Sequence, residues 1–151
     1  MEILQAGNDD CIEILNLQKI AYKQEAEIYN DYGIQPLTQS ISELENEFKN
    51  SLVLKCIEQD KIIGSVRAYE MDKTCFIGKL MVHPDKQNSG IGKELMLRIQ
   101  EMFPDAKRFE LFTGEKSLKN IHIYEKLGYK IFKKKKVSDN VSVVFLEKPA
   151  N

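Results

Sequence analysis

The stretch Val82-His83-Pro84-Asp85-Lys86-Gln87-Asn88-Ser89-Gly90-Ile91-Gly92-Lys93-Glu94-Leu95 runs from an apolar strand through a proline into a polar, glycine-spaced turn and then a helix. The first turn of a helix has unpaired backbone N–H groups and a partial positive charge. A loop that opens onto it without bulky side chains therefore suits phosphate oxygens, and Gly90 and Gly92 let the backbone approach such a ligand closely.

Two better-known phosphate loops fail by position. A Walker loop requires glycine and then Ser or Thr where this chain has Gln87 and Glu94. A Rossmann fingerprint requires Gly or Ala where it has Leu95. What remains is hydrophobic-x-Val-x-Pro-x-x-Gln-x-x-Gly-x-Gly, filled by Leu80, Val82, Pro84, Gln87, Gly90 and Gly92. This pattern resembles the acyl-CoA pyrophosphate loop of the GNAT superfamily of N-acetyltransferases. A second segment in the right order, Asn120-Ile121-His122-Ile123-Tyr124-Glu125-Lys126-Leu127-Gly128-Tyr129, is similar to the family's later motif of Asn, Tyr four residues on, and a closing Gly-aromatic pair.

Composition bounds the rest. A chain of 151 residues with 42% hydrophobic and 30% charged side chains reads as one globular domain over residues 1–151, with enough length for a substantial core. Its start lacks a basic leader, and no apolar run approaches the ~20 residues of a membrane span, so a cytoplasmic location with no membrane partner is expected. Cys11, Cys56 and Cys75 are odd in number and widely spaced, and there are only two histidines, so neither a disulfide framework nor a metal site is expected. Charge divides unevenly. Residues 1–60 hold 12 acidic and 4 basic side chains, and residues 61–151 hold 11 and 18. A basic half suits an anionic cofactor and an acidic half a cationic substrate.

Taken in order, Glu2 to Ala6 reads as a strand, and Asn8-Asp9-Asp10 offers N-cap chemistry for a helix carrying Ile14, Leu17, Ala21 and Tyr22. An acidic, aromatic segment follows, broken by Gly33 and Pro36. Ser40-Ile41-Ser42-Glu43 is a capping box for a second helix ending near Asn50. Strands over 52–58, 62–70 and 74–82 form an antiparallel meander, with Gly78 inside the third. The helix after the loop shows Ile91, Leu95, Ile99 and Met102 at helical spacing and ends by Pro104. Residues 108–112 form a strand parallel to the meander's last strand, Ser117 is an N-cap candidate for a helix to Leu127, and strands over 129–135 and 141–147 make a final hairpin. The Lys133–Lys136 run lacks interleaved aromatics, so it reads as a solvated strand rather than a nucleic-acid patch.

The fold expected is therefore mixed α/β, a mostly antiparallel sheet of about seven strands with about four helices. The resemblance adds one parallel strand pair splayed at the acyl-CoA site. It also implies acetyl-CoA as acyl donor, held by Leu80, Met81, Val82, Gln87, Asn88, Ser89, Gly90, Ile91, Gly92, Asn120 and Lys126. The implied reaction is acetyl transfer to the primary amine of a small molecule by direct attack in a ternary complex. Tyr124 is then the general acid, since a phenol of pKa ~10 stays protonated at neutral pH and can protonate a leaving thiolate of pKa ~8.5. An amine of pKa ~10.4 costs roughly 4 to 5 kcal/mol to neutralise at pH 7, so a base or water chain is needed. One branch of the family, acting on protein lysines, carries a catalytic Glu on the splayed strand. This chain has Lys79 in that strand and no carboxylate, which leaves Glu70, and Glu25 or Asp31 in the acceptor segment, as candidate bases beside a water relay. Glu25, Tyr29 and Asp31, between the first two helices, are the acceptor-binding candidates. A non-catalytic acyl-CoA sensor and acetylation of a protein N-terminus or lysine are the alternatives, and a homodimeric assembly is left open.

Overall fold

The computed structural model describes residues 1–151. Seven strands form one sheet in the order β1-β2-β3-β4-β5-β7-β6, where β1 is Glu2–Gln5, β2 Leu52–Glu58, β3 Lys61–Met71, β4 Thr74–Val82, β5 Arg108–Gly114, β6 Lys130–Lys136 and β7 Ser142–Pro149. Every neighbouring pair is antiparallel except β4 and β5, which are parallel because the helix between them must cross over. The two meander turns place Gln59-Asp60 and Asp72-Lys73 at positive φ, the left-handed pair whose twist matches that of the flanking strands.

Five helices are present where about four were expected: α1 Cys11–Tyr29, α2 Gln35–Thr38, α3 Ile41–Asn50, α4 Ile91–Glu101 and α5 Leu118–Lys126. The extra one is α2. Pro36 was read as a breaker, but it lies in the first turn of α2, where its missing N–H costs no intrahelical bond. The capping box forms as expected, with Glu43 N–H donating to Ser40 Oγ at 3.2 Å and Ser40 N–H donating to Glu43 Oε1 at 2.9 Å. The cap expected before α1 does not form. Residues 8–10 make a 3₁₀ turn instead, and the Asp10 carboxylate accepts from Gly7 N–H and Lys55 Nζ, each at 2.9 Å.

Alternation along the strands divides the core. Leu54, Cys56, Val66, Ala68, Cys75 and Ile77 pack with Leu95, Met96 and Ile99 of α4 and with Tyr124 and Tyr129. Val53, Ile62 and Met81 pack with Ile14 and Leu17 of α1 and Leu44 of α3. The three cysteines are free and buried, acting as small apolar groups. No helix is long and apolar enough to cross a membrane. The lysine-rich β6 is exposed along its whole length at the sheet edge, as a charged edge that resists strand addition should be.

Candidate active site

Strands β4 and β5 share only three parallel partners, from Thr74 opposite Arg108 to Phe76 opposite Glu110. Beyond Phe76 they part, so β4 from Ile77 to Val82 has no strand on its β5 side. A bulge lies in the same segment. Ser65 pairs with Met81 and Arg67 with Gly78, which puts Lys79 and Leu80 opposite Val66 alone. Lys79 takes the left-handed conformation, with φ at 52°, a strain that a non-glycine residue tolerates only where packing holds it. Two cavities meet this segment, divided at the bulge. Residues 76–79 line one and residues 80–82 the other.

The second of these, about 620 Å³, is a cleft between α1, the loop after β4, and the start of α5. Leu80, Met81 and Val82 form its floor, and Gln87, Asn88, Gly90, Ile91 and Gly92 form the loop wall. Gly90 has φ at 85° and ends the loop at the N-terminus of α4, which no side chain caps, so its first N–H groups remain free for a ligand. A Cβ on Gly90 would meet nothing within 4 Å, so the glycine is required there by backbone conformation rather than by space. Gln87 Nε2 donates to Val82 O and Gln24 Oε1, each at 3.3 Å, and thereby ties the loop to the end of β4 and to α1. Lys93, Lys116 and Lys119 also line the cleft, with Lys86 paired to Glu58 beside them, against Glu25 as its carboxylate, so its field favours a polyanion. Uncapped N–H groups, a glycine-bounded loop and surplus lysines together fit a pyrophosphate.

The first cavity, about 410 Å³, lies on the α1/α3 face of the sheet. Tyr69, Phe76 and Phe112 supply aromatic walls, and the Tyr69 and Phe76 rings stack with centroids 5.3 Å apart. Arg67, only 3% exposed, stands behind the wall. Its Nη2 donates to Gln18 Oε1 at 2.8 Å and to Gln39 Oε1 at 3.3 Å. Its Nε lies 2.6 Å from Glu47 Oε2, close enough for an ion pair but not aligned as a hydrogen bond. Nη1 is buried without a partner. Burial lowers the pKa of Arg67, with the Glu47 carboxylate acting in the opposite direction.

The expected site residues are distributed unevenly. Nine of the cofactor-binding candidates line the cleft, Asn120 among them, whereas Ser89 and Lys126 do not. The Ser89 hydroxyl donates to Lys86 O, and Lys126 is exposed at the far end of α5. Tyr124 packs one residue behind the cleft-lining Ile123, 6% exposed and edge-on to Tyr129. Burial, reinforced by Tyr22, Tyr129 and Glu25, raises its pKa far above the usual phenol range, so the proton stays on at any physiological pH. Glu70 lies at the β3–β4 turn, opposite Cys75, and lines neither cavity. Six residues separate it from Gly64, which pairs with Val82, so about 20 Å of extended strand keeps it from the cleft.

The acceptor candidates are tied up within the chain. Tyr29 is buried, with its hydroxyl accepting from Lys116 N–H at 2.7 Å and lying 3.4 Å from Ser117 Oγ. Asp31 accepts from Gly33 N–H at 2.9 Å. Glu25 does line the cleft, but Ser117 Oγ donates to it. That bond also corrects the reading of Ser117, which stands at the N-cap position of α5 without capping it. Glu25 and Tyr29 lie on α1 rather than between helices, and apart from Glu25 sequence reading missed the α1 wall of the cleft, Tyr22 included, and the whole first cavity. The available signal was Arg67, the single charge inside an otherwise apolar and small-residue run from Ile62 to Ala68.

The model of the Acetyltransferase (GNAT) family matches residues 11–129. A curated relative, UPF0157 protein YqkA of Bacillus subtilis, is 27% identical over 117 residues, which is 78% of this chain. The chain spans about a third of that relative's length (34%). Among solved structures, the PaiA N-acetyltransferase of Thermoplasma acidophilum in complex with coenzyme A superposes with a TM-score of 0.82 at 17% identity, covering 98% of each chain. YncA of Salmonella typhimurium, a putative acetyltransferase with its cofactor acetyl-CoA, gives 0.78 at 16% identity over 100% of this chain and 94% of its own. The ribosomal-protein-S18-alanine N-acetyltransferase of Escherichia coli gives 0.75 at 13%, covering 99% and 94%.

Proposed function

This chain belongs to the acetyltransferase (GNAT) family, and from that premise we propose that it moves an acetyl group from acetyl-CoA to the primary amine of a small molecule, by direct attack within a ternary complex. Acetyl-CoA is the acyl donor of the family. The observation that carries the reading is the end of β4–β5 pairing at Phe76 and Glu110, with one cavity opening on each side of the bulge that follows. A donor in the loop-side cleft and an acceptor in the aromatic cavity meet at that bulge, which favours direct transfer over a shuttle through a protein nucleophile.

The chain's own groups then divide the work. The N–H groups of α4's first turn and the cleft lysines hold phosphate oxygens. The backbone amides of Leu80 and Val82, on the side of β4 that has no β5 partner, polarise the thioester carbonyl as an oxyanion hole does, while Met81 stays in the ladder with Ser65. The amine nitrogen bonds to the carbonyl carbon, the C–S bond breaks, and Tyr124 donates its proton to the departing sulfur. The amine's proton leaves through water, because Glu70 is remote and the cavity's carboxylates, Glu47 and Glu110, are ion-paired with Arg67 and Arg108. Steady-state kinetics with acetyl-CoA and a panel of amines test this reading. Acetylation of small amines supports it, acetylation of peptide N-termini or lysines alone redirects it to proteins, and acetyl-CoA binding without transfer to any amine leaves a sensor.

A further inference from the structure

The first cavity holds more cationic hydrogen-bonding capacity than its own carboxylates use. Glu47 is shared between Arg67 Nε at 2.6 Å and Gln39 Nε2, which donates to its other oxygen at 3.0 Å. Glu110 Oε1 lies 3.0 Å from Arg108 Nη2. Arg67 keeps an unpartnered, buried Nη1. Lys79, partly buried at the bulge, forms no salt bridge, and its charged neighbours are Arg67, of like sign, and Glu47, already engaged. A buried guanidinium with an unpartnered Nη1 and a lysine without a counter-ion both line this aromatic-walled cavity, and together they define a site for an anion attached to an apolar body.

We propose that this cavity selects an acceptor amine that also carries a carboxylate, with the carboxylate docking on Lys79, the charge of Arg67 behind it, and an aromatic or alkyl body lying against Tyr69, Phe76 and Phe112. The proposal rests on the acetyl-transfer reading and narrows its substrate class to amino acid-like amines. It runs against the cationic acceptor that an acidic N-terminal half suggests. That acidity is real in composition, but at Glu25 and Asp31 it is engaged in intramolecular bonds.

Two measurements separate the failure of the proposal from the failure of the transferase reading. In the first, the full chain is assayed with acetyl-CoA and matched amines, phenylalanine against phenethylamine and 6-aminohexanoate against hexylamine, with spermidine as the cationic comparison. The carboxylate members are expected to lead by tenfold or more in kcat/KM. In Lys79→Met and Lys79→Gln the ratio should fall toward one, mainly through KM, and Lys79→Arg should restore part of it. In the second, binding of 3-phenylpropanoate and 3-phenylpropanamide is measured by calorimetry on CoA-saturated protein, with melting curves to show that each variant is folded. Lys79-dependent binding of the acid supports the assignment of the site even if no amine is acetylated, an outcome that would sink transfer alone. Equal binding of acid and amide, or a preference for phenethylamine or spermidine in turnover, overturns the proposal while leaving acetyl transfer standing.

Discussion

The two cavities that meet at the β4 bulge are built from different materials. The cleft beside α4 is shaped by backbone: a left-handed Gly90, an uncapped helix N-terminus, and strand amides left without a partner. The aromatic cavity is shaped by side chains from four separate elements, with Glu47 on α3, Arg67 on β3, Lys79 on β4 and Phe112 on β5. In the proposed reaction, the backbone-built site takes what every acyl-CoA shares, its phosphates and its thioester. A side-chain-built site can differ from one chain to the next while the fold stays the same, which is why the proposal puts acceptor selection there.

The sharpest challenge to this contrast comes from Tyr124, which packs behind the cleft and is proposed to act there through its side chain. Tyr124→Phe keeps the ring that packs on Tyr129 and removes only the hydroxyl, so kcat should fall ~10²- to 10⁴-fold with acetyl-CoA affinity nearly unchanged. Turnover within a few-fold of the parent would make Tyr124 a packing residue. The raised pKa adds a pH test. A phenol is lost as an acid only above its pKa, and burial moves that point beyond the usual ~10. Because amine neutralisation favours high pH, kcat/KM for an amine without a carboxylate, such as hexylamine, should rise with pH and show no descending limb up to about pH 10. A fall near pH 8 to 9 with that amine would point to another acid, whereas a carboxylate-bearing amine also needs Lys79 charged, and burial, with Arg67 beside it, lowers the Lys79 pKa.

Ligand-linked stability comes next in size. CoA at ~100 times its dissociation constant should stabilise the fold by about 2.7 kcal/mol, or roughly 5 to 10 °C in a melting curve for a domain of this size. A shift with a mononucleotide but none with CoA would assign the cleft to a different anion. Within the loop, changing backbone should matter more than changing side chains. Gly90→Val places a β-branched residue at φ 85°, costing ~1–2 kcal/mol of conformational strain. CoA affinity should then weaken about tenfold by titration. Lys86→Met should do least, two- to threefold and less at high salt, because Lys86 is already paired with Glu58 at 2.6 Å and surface charges are screened. If Lys86→Met weakened CoA more than Gly90→Val did, the cleft would be a side-chain site after all.

Local chemistry explains which elements were legible in advance. The capping box at Ser40, the meander strands and the helix following Gly90 each depend on residues within a few positions of one another, so sequence placed them within a residue or two. Readings that failed involved a choice of partner. Asp10 and Ser117 both had capping chemistry, yet Asp10 took Gly7 and Lys55, while Ser117 took Glu25, 92 residues away. Tyr29 and Asp31, acceptor candidates by type, hold bonds to Lys116 N–H and Gly33 N–H that no local pattern announced. Glu70 had the right chemistry at the wrong end of a strand.

By itself, then, the sequence determined the glycine-spaced loop ahead of α4, the order of elements and the family, because these follow from backbone conformations set by glycine, proline and local periodicity. Only the tertiary structure decided where β4 and β5 separate, that Lys79 stands strained at the bulge, and that Arg67 shares Glu47 with Gln39 behind an aromatic wall. The physical reason is reach. A side chain's partner is chosen by what the fold brings within a few ångströms, and residues 18, 39, 47, 67 and 79 become neighbours only after the sheet has formed and α1 and α3 have packed against it.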